Sequence, residues 1–380
     1  MPQKIISKII NFSALFSILL LQGCLVTQKI VIKGKGNVKL EQVDFIDLEG
    51  WKNTDHKQAL QSFIQSCNKF AKMAQNRSIG KQLGEITPAD FRDVCEIAEI
   101  VKTMNVKQTQ NFFENWFRPF LVATKSGNSK GVFTGYYEAS LQGSKVKTNV
   151  FRYPIYAKPS DLTDKPYLTR KEIEEGALAD KNLELLYVDD KVELFFLHVQ
   201  GSGRITLPDG SKVKIAYAGR NNRNYSSIGA YMENNGLLEK GKVSADLIKE
   251  WMKNNPEKAD EVMNSNESFV FFKISNDEFV VGAQGVPLTP EHSLAVDSDI
   301  MPYGFPLWVN TTLKGKNNSK QPYRTLLISQ DTGSAIKGVV RGDIFFGRGD
   351  EAEEKASYMA SSGEYYILLP VNVVDKMIGR

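Results

Sequence analysis

Histidine and cysteine are scarce in this chain, with three of each in 380 residues. His56, His198 and His292 lie far apart, and none belongs to a helical His-x-x-x-His or His-x-x-Glu pair, so no metal centre is expected. There is no G-x-S-x-G elbow, no Walker-type loop and no dinucleotide fingerprint, which removes the usual serine-hydrolase and nucleotide-cofactor chemistries. No cofactor is expected. The 48 basic and 44 acidic residues are interspersed and leave a net charge of +4, with no basic block to hold nucleic acid. Nor is there an apolar run of about 20 residues, the length a membrane-spanning helix needs.

What is present starts with Lys4 and Lys8 ahead of the apolar run from Ile9 to Leu21, a length suited to a signal peptide. The run ends in Leu21-Gln22-Gly23-Cys24, which resembles the lipobox of bacterial lipoproteins. That resemblance implies cleavage before Cys24 and a lipid on its sulfur. With Leu25 rather than Asp next in line, it implies anchorage at the periplasmic face of the outer membrane. Residues 1–23 then form the signal peptide and residues 24–41 a tether.

Two cysteines remain. Cys67 repeats with Leu60, Phe63, Ile64 and Phe70 at helical spacing. Cys95 shares a face with Phe91, Val94 and Ala98 on a second helix, opened by Thr87 as N-cap and Pro88 at the first helical position. Both sulfurs point inward from neighbouring helices in a compartment that permits oxidation, so a Cys67–Cys95 disulfide is expected, the alternative being two free core cysteines.

Residues 56 to about 122 read as helical. From Gly131 short β-rich runs follow, among them VFTGYYEASL, VELFFLHVQ, SGRITL and KVKIAYAG, with Pro208-Asp209-Gly210 as a hairpin turn. A helical patch, SSIGAYMENN and SADLIKEWMKNN, interrupts them before strands return from Ser268, including EFVVGA, SLAVD, TLLISQD and EYYILLP. The fold class is mainly β with a helical N-terminal segment (α+β), with barrels or sandwiches as the sheet architecture. The middle helical patch marks the return from an inserted domain.

With metals and nucleophilic serines set aside, carboxylates carry the chemistry. Asp297, Asp331 and Asp343 each sit at the end or start of a predicted strand. Asp331-Thr332-Gly333 has the form of an aspartic-protease element, but that chemistry needs two such aspartates about 3 Å apart. The chain has one, so a protease would have to be a dimer. Asp297 and Asp331 precede Ser or Thr in turns whose backbone donors are expected to hold them ionised. Asp343 heads Ile344-Phe345-Phe346, an apolar setting that raises a carboxyl pKa, as the acid in glycosidic cleavage requires.

SLAVDSDIMPYGFPLWVNT, QDTGSAIKG and RGDIFFGRGDEAEEKASYM resemble the three-aspartate domain of the membrane-bound lytic murein transglycosylase A family. FTGYYE, YPIYAKP, HVQGSG, PDGS, AYAGRN and NESFVFFK resemble that family's remaining segments in order. The resemblance implies a double-psi β-barrel, residues 42–138 and 278–380, interrupted by a smaller β-barrel, residues 139–277, with a glycan strand of peptidoglycan in the groove between them. It implies Asp343 as the catalytic residue, with Asp331, Asp209 and Asp297 in support. It further implies cleavage of the β-1,4 bond between N-acetylmuramic acid and N-acetylglucosamine without water, leaving a 1,6-anhydro end. Thr134, Tyr136, Gln200, Ser202, Lys337 and Phe345 are the expected sugar contacts. Ser334 and Ser357 stand where the family usually has glycine. A peptidoglycan-binding lipoprotein without chemistry and a dimeric aspartic protease remain the alternatives.

Overall fold

The computed structural model describes residues 29–315 and 319–379. The expected signal peptide and Cys24 lie outside the described residues. Among these residues no helix is long and apolar enough to cross a membrane.

Fourteen strands organise the described residues: β1 (Val31–Lys33), β2 (Val38–Gln42), β3 (Phe117–Thr124), β4 (Gly131–Ser144), β5 (Tyr153–Tyr156), β6 (Glu184–Val188) and β7 (Ser202–Thr206) come first. They are followed by β8 (Lys212–Arg220), β9 (Val270–Ile274), β10 (Ser293–Ala295), β11 (Pro306–Lys314), β12 (Lys320–Asp331), β13 (Arg341–Arg348) and β14 (Ala360–Pro370). Six of them close a ring: β14 pairs with β11, then β12, β10, β13 and β4 follow, and β4 pairs with β14 again. Closure leaves no free edge within the ring, and Phe133, Leu294, Ile328, Ile344 and Ile367 fill its buried core.

Strand β4 is long enough to serve two sheets. Its first half lies in the ring up to Glu138, while Ala139–Gln142 pair in parallel with β7, and Gly143 and Ser144 pair with β6. β7, β8 and β9 then run antiparallel, and a bridge from Ala157 to Phe272 joins β9 back to the β5–β6 pair.

Four sequence expectations change here. The helical reading to about residue 122 stops at Trp116, because Phe117–Thr124 pairs with β2 and β14 as strand β3. VELFFLHVQ is the helix Lys191–Gln200, not a strand. Its run is apolar on every side, so periodicity cannot decide it; the Asp190 side chain caps Val192 and Glu193 N–H, and Gly201, at φ 77°, ends it in the left-handed region. The tether is strand-forming from Val31, because Val38 and Leu40 alternate into the core against β3. EFVVGA pairs only through a bridge from Val281 to Pro287, and its backbone serves the site described next.

The helices Lys57–Ala71 and Arg92–Val101 carry Cys67 and Cys95, which form a disulfide with Cα atoms 5.5 Å apart.

Candidate functional site

One row of paired residues crosses the ring. Asp331 of β12 stands beside Ala295 of β10, Ala295 beside Asp343 of β13, and Asp343 beside Thr134 of β4. Directly paired residues share a face of a sheet, so both aspartates and the threonine project the same way, with alanine between the acids. The register depends on a bulge: Leu294 pairs with Ser329 and Ala295 with Asp331, which leaves Gln330 over. Gln330 is fully buried and bonds Ser62, Ser66 and Ser293, fastening the bulge to the helix Lys57–Ala71.

Asp343 lines a cavity of about 450 Å³, together with Thr134, Tyr136, Gln200, Arg341 and Tyr225. The opposite wall brings His198, Asn266 and Ser268 from the β5–β9 part of the chain. Thr134 Oγ1 donates to Asp343 Oδ1 and accepts from Arg341 Nη2 at 2.9 Å. Burial pushes the Asp343 carboxyl above its ordinary range, against the Arg341 charge and the Thr134 hydrogen bond, which pull it down.

Asp331 has a different setting. Its Oδ2 accepts from the Tyr136 phenol at 2.7 Å, and its Oδ1 accepts the N–H groups of Ala283 and Thr332, both at 2.9 Å. Three donors argue for an ionised group, as the turn suggested, yet burial outweighs them and its pKa is raised. It does not line the cavity. Since β10 lies between β12 and β13, their backbones are about 10 Å apart, and the two carboxylates do not form a proton-sharing dyad.

The other expected residues are distributed unevenly. Gln200 lies on the wall, with Oε1 accepting from Tyr137 N at 3.0 Å. Asp297 is buried behind the 331–338 loop, where it accepts from Gly338 N at 2.8 Å and pairs with Lys337 at 3.3 Å. Lys337 is exposed and held by Asp299 at 2.8 Å, away from the cavity lining. Phe345 and Ser202 are buried, so neither presents a face to a sugar. Asp209 is exposed in the β7–β8 hairpin turn, where it caps Ser211 and is distant from Asp343 along β7. Asp209, Ser202, Lys337 and Phe345 are not among the residues that line this cavity.

Three groups went unread. Arg341 was legible, since residues two apart on a strand share a face and Asp343 was already chosen. Tyr225 lies in an irregular segment with no period to orient it, and its phenol is raised by burial and by the nearby Asp343 charge. Arg170 is fully buried between the rings of Phe195 and Phe269, and it donates to Ser268 O, Asn266 O, Glu174 and His198 Nδ1. Burial, and then the Arg170 charge, hold His198 neutral and well below its usual range.

This architecture has relatives. Residues 132–273 match the family model described as the MltA specific insert domain, and residues 292–369 match the 3D domain. The chain is 37% identical over 248 residues to the membrane-bound lytic murein transglycosylase A of Vibrio cholerae serotype O1, across 64% of this chain and 66% of that protein. Against the Escherichia coli K12 protein of the same name it is 37% identical over 241 residues, 62% of this chain and 65% of that protein. These alignments span slightly under two-thirds of both relatives.

Solved structures extend the likeness. The membrane-bound lytic murein transglycosylase of Agrobacterium tumefaciens superimposes with a TM-score of 0.80 at 31% identity, covering 89% of this chain and 99% of that one. MltA of Neisseria gonorrhoeae, in its monoclinic form, gives 0.72 at 33% identity, covering 90% and 94%. E. coli MltA with bound chitohexaose gives 0.67 at 28% identity, covering 82% and 90%. The fold is thus that of an MltA-type protein, with the insert-domain match preceding the 3D-domain match along this chain. This chain belongs to the membrane-bound lytic murein transglycosylase A family.

Proposed function

We propose that the chain is a peptidoglycan lytic transglycosylase that uses Asp343 first as acid and then as base. The carrying observation is a single carboxyl on a cavity wall, kept basic by burial, whose Oδ2 meets no donor among the described residues. Asp343 gives its proton to the oxygen joining N-acetylmuramic acid C1 to N-acetylglucosamine. The C1–O bond breaks, and its electron pair stays with the leaving oxygen. The muramic acid O6 hydroxyl attacks C1 and its proton returns to Asp343, so no water is consumed and the acid is regenerated. The attacking hydroxyl is already tethered to the sugar, which removes the cost of recruiting a second reactant.

An ordinary glycosidase places a second carboxylate on the scissile bond. Asp331 is instead committed to three donors outside the cavity lining, which supports the one-carboxylate course. A β-1,4-linked amino-sugar chain as ligand is supported by the chitohexaose held in the E. coli relative's structure. In this reading the six-strand ring is the double-psi barrel, residues 139–277 the insert, and the cavity part of the glycan groove. The Cys24 lipid anchors the enzyme at the periplasmic face of the outer membrane.

Digestion of purified sacculi with wild type and Asp343→Asn, followed by mass spectrometry, tests the proposal. Anhydro-ended muropeptides are expected from wild type and not from the variant. Reducing-end products would replace this mechanism with hydrolysis, and intact sacculi that still bind protein would make it an adhesion lipoprotein.

A further inference from the structure

The hydrogen bonds behind Asp343 have a fixed direction. A guanidinium only donates, so the contact from Arg341 Nη2 occupies a lone pair of Thr134 Oγ1. The single proton of that hydroxyl is left to point at its other partner, Asp343 Oδ1. Oδ1 is therefore an acceptor, and Oδ2, which meets no donor among the described residues, is the oxygen able to carry an acid proton. The guanidinium is itself braced, with Nη1 donating to the carbonyls of Val132 on β4 and Gly342 on β13. These are the two strands that present Thr134 and Asp343.

We propose that Arg341 and Thr134 are positioning residues that confine the reacting proton of Asp343 to Oδ2 and hold Oδ1 as a fixed pivot through both proton transfers. This rests on the acid–base role given to Asp343 above. Without the pair, the carboxyl could turn and present either oxygen, and part of the population would hold its proton away from the bond to be broken. The pair also acts after the first transfer. As negative charge develops on the carboxylate, the Thr134 hydrogen bond strengthens, backed by the Arg341 charge, in a place that needs no solvent rearrangement.

The other titratable groups facing Asp343 are Tyr136 on β4, Asp331 on β12 and Tyr225. His198 and Arg170 lie across the cavity. On the helix Asp350–Tyr358, which packs against β4, Glu353 turns to Tyr137 and Lys249, and Lys355 turns to Glu291. Arg341 is thus the cation through which the Thr134 hydroxyl is directed.

The test is a pH–rate profile on sacculi for Thr134→Val, Thr134→Ser, Arg341→Met and Arg341→Lys, each checked for folding by its melting transition. Thr134→Val and Arg341→Met each remove a stabiliser of the carboxylate, so the alkaline limb, where protonated Asp343 is lost, should move up by about one pH unit. The plateau should fall about ten- to a hundredfold as the proton loses its fixed place. Thr134→Ser should restore both limb and plateau, whereas Arg341→Lys, lacking the fork, should restore the limb more than the plateau. A folded Thr134→Val enzyme with lowered rate and an unmoved limb would overturn the proposal, as would failure of Thr134→Ser to rescue. If Asp343→Asn still yields anhydro ends, the parent reading fails instead, which that variant alone reveals.

Discussion

Tyr136 donates its phenolic proton to Asp331 at 2.7 Å and so occupies the face of that carboxylate nearest the cavity. The phenol stands two residues along β4 from Thr134, which serves Asp343, so one strand face attends both acids and assigns them different work. The first is closed off by its donors. The second keeps one oxygen without a donor among the described residues.

Desolvated carboxylates should make the site a cost to stability. Asp343 has a raised folded pKa, so below the unfolded value it holds its proton in both states and imposes no penalty. As pH rises from there through the folded pKa, the native state binds more protons than the unfolded chain and stability falls. Asp343→Asn keeps an oxygen for Thr134 and removes the charge. It should therefore stabilise the protein by about 1 kcal/mol, roughly 2 °C, at pH 8, with little gain at pH 4. Melting curves at the two pH values check this, and a gain that shrinks as pH rises would contradict it.

The disulfide closes a loop between helices 28 residues apart in sequence. A cross-link of that span should contribute about 3.5 kcal/mol by restricting the unfolded chain. Urea unfolding of wild type against Cys67→Ser/Cys95→Ser should show a loss of that order. A loss below about 1 kcal/mol would mean that the unfolded chain keeps the two helices together without the bond.

Arg170 ties the helix that contains it to Ser268 and Asn266, beside the cavity, with Phe195 and Phe269 at 4.6 and 5.2 Å from its guanidinium carbon. Arg170→Met should destabilise by about 3 kcal/mol, because two carbonyls and the Glu174 carboxylate lose a buried donor while the volume is largely kept. It should also raise the His198 pKa by removing a nearby positive charge. Denaturation midpoints and NMR titration of His198 give the two readings separately.

Gly135 lies between Thr134 and Tyr136 where the helix Asp350–Tyr358 crosses β4. A Cβ there would meet the Phe346 ring and come within 3.0 Å of Ala356 Cα. Gly135→Ala should cost about 1–3 kcal/mol and lower turnover, since the methyl pushes the helix from the strand that holds the cavity wall. Phe346→Leu in the same chain should recover part of the loss, because it removes the ring atom nearest the new methyl.

Much of this was legible in the chain. The Cys67 and Cys95 faces, the Asp209–Gly210 hairpin and the apolar run behind Asp343 are local patterns, and local patterns survive folding because their causes lie within a few residues. Arg341 was legible by the same period of two. The helix Lys191–Gln200 was not, since an all-apolar run fits either state until its caps are weighed.

The composition, the signal-like N-terminus and the apolar run that follows Asp343 are set by the order of amino acids alone, while the burial that raises its carboxyl pKa comes from the fold. Tertiary structure decided that Asp343 Oδ1 is tied to Thr134, that Asp331 is sealed by Tyr136, and that Asp209, Ser202, Lys337 and Phe345 do not line the cavity. Those outcomes depend on strand register across a closed ring, where one bulge at Gln330 aligns residues far apart in sequence to within a hydrogen bond.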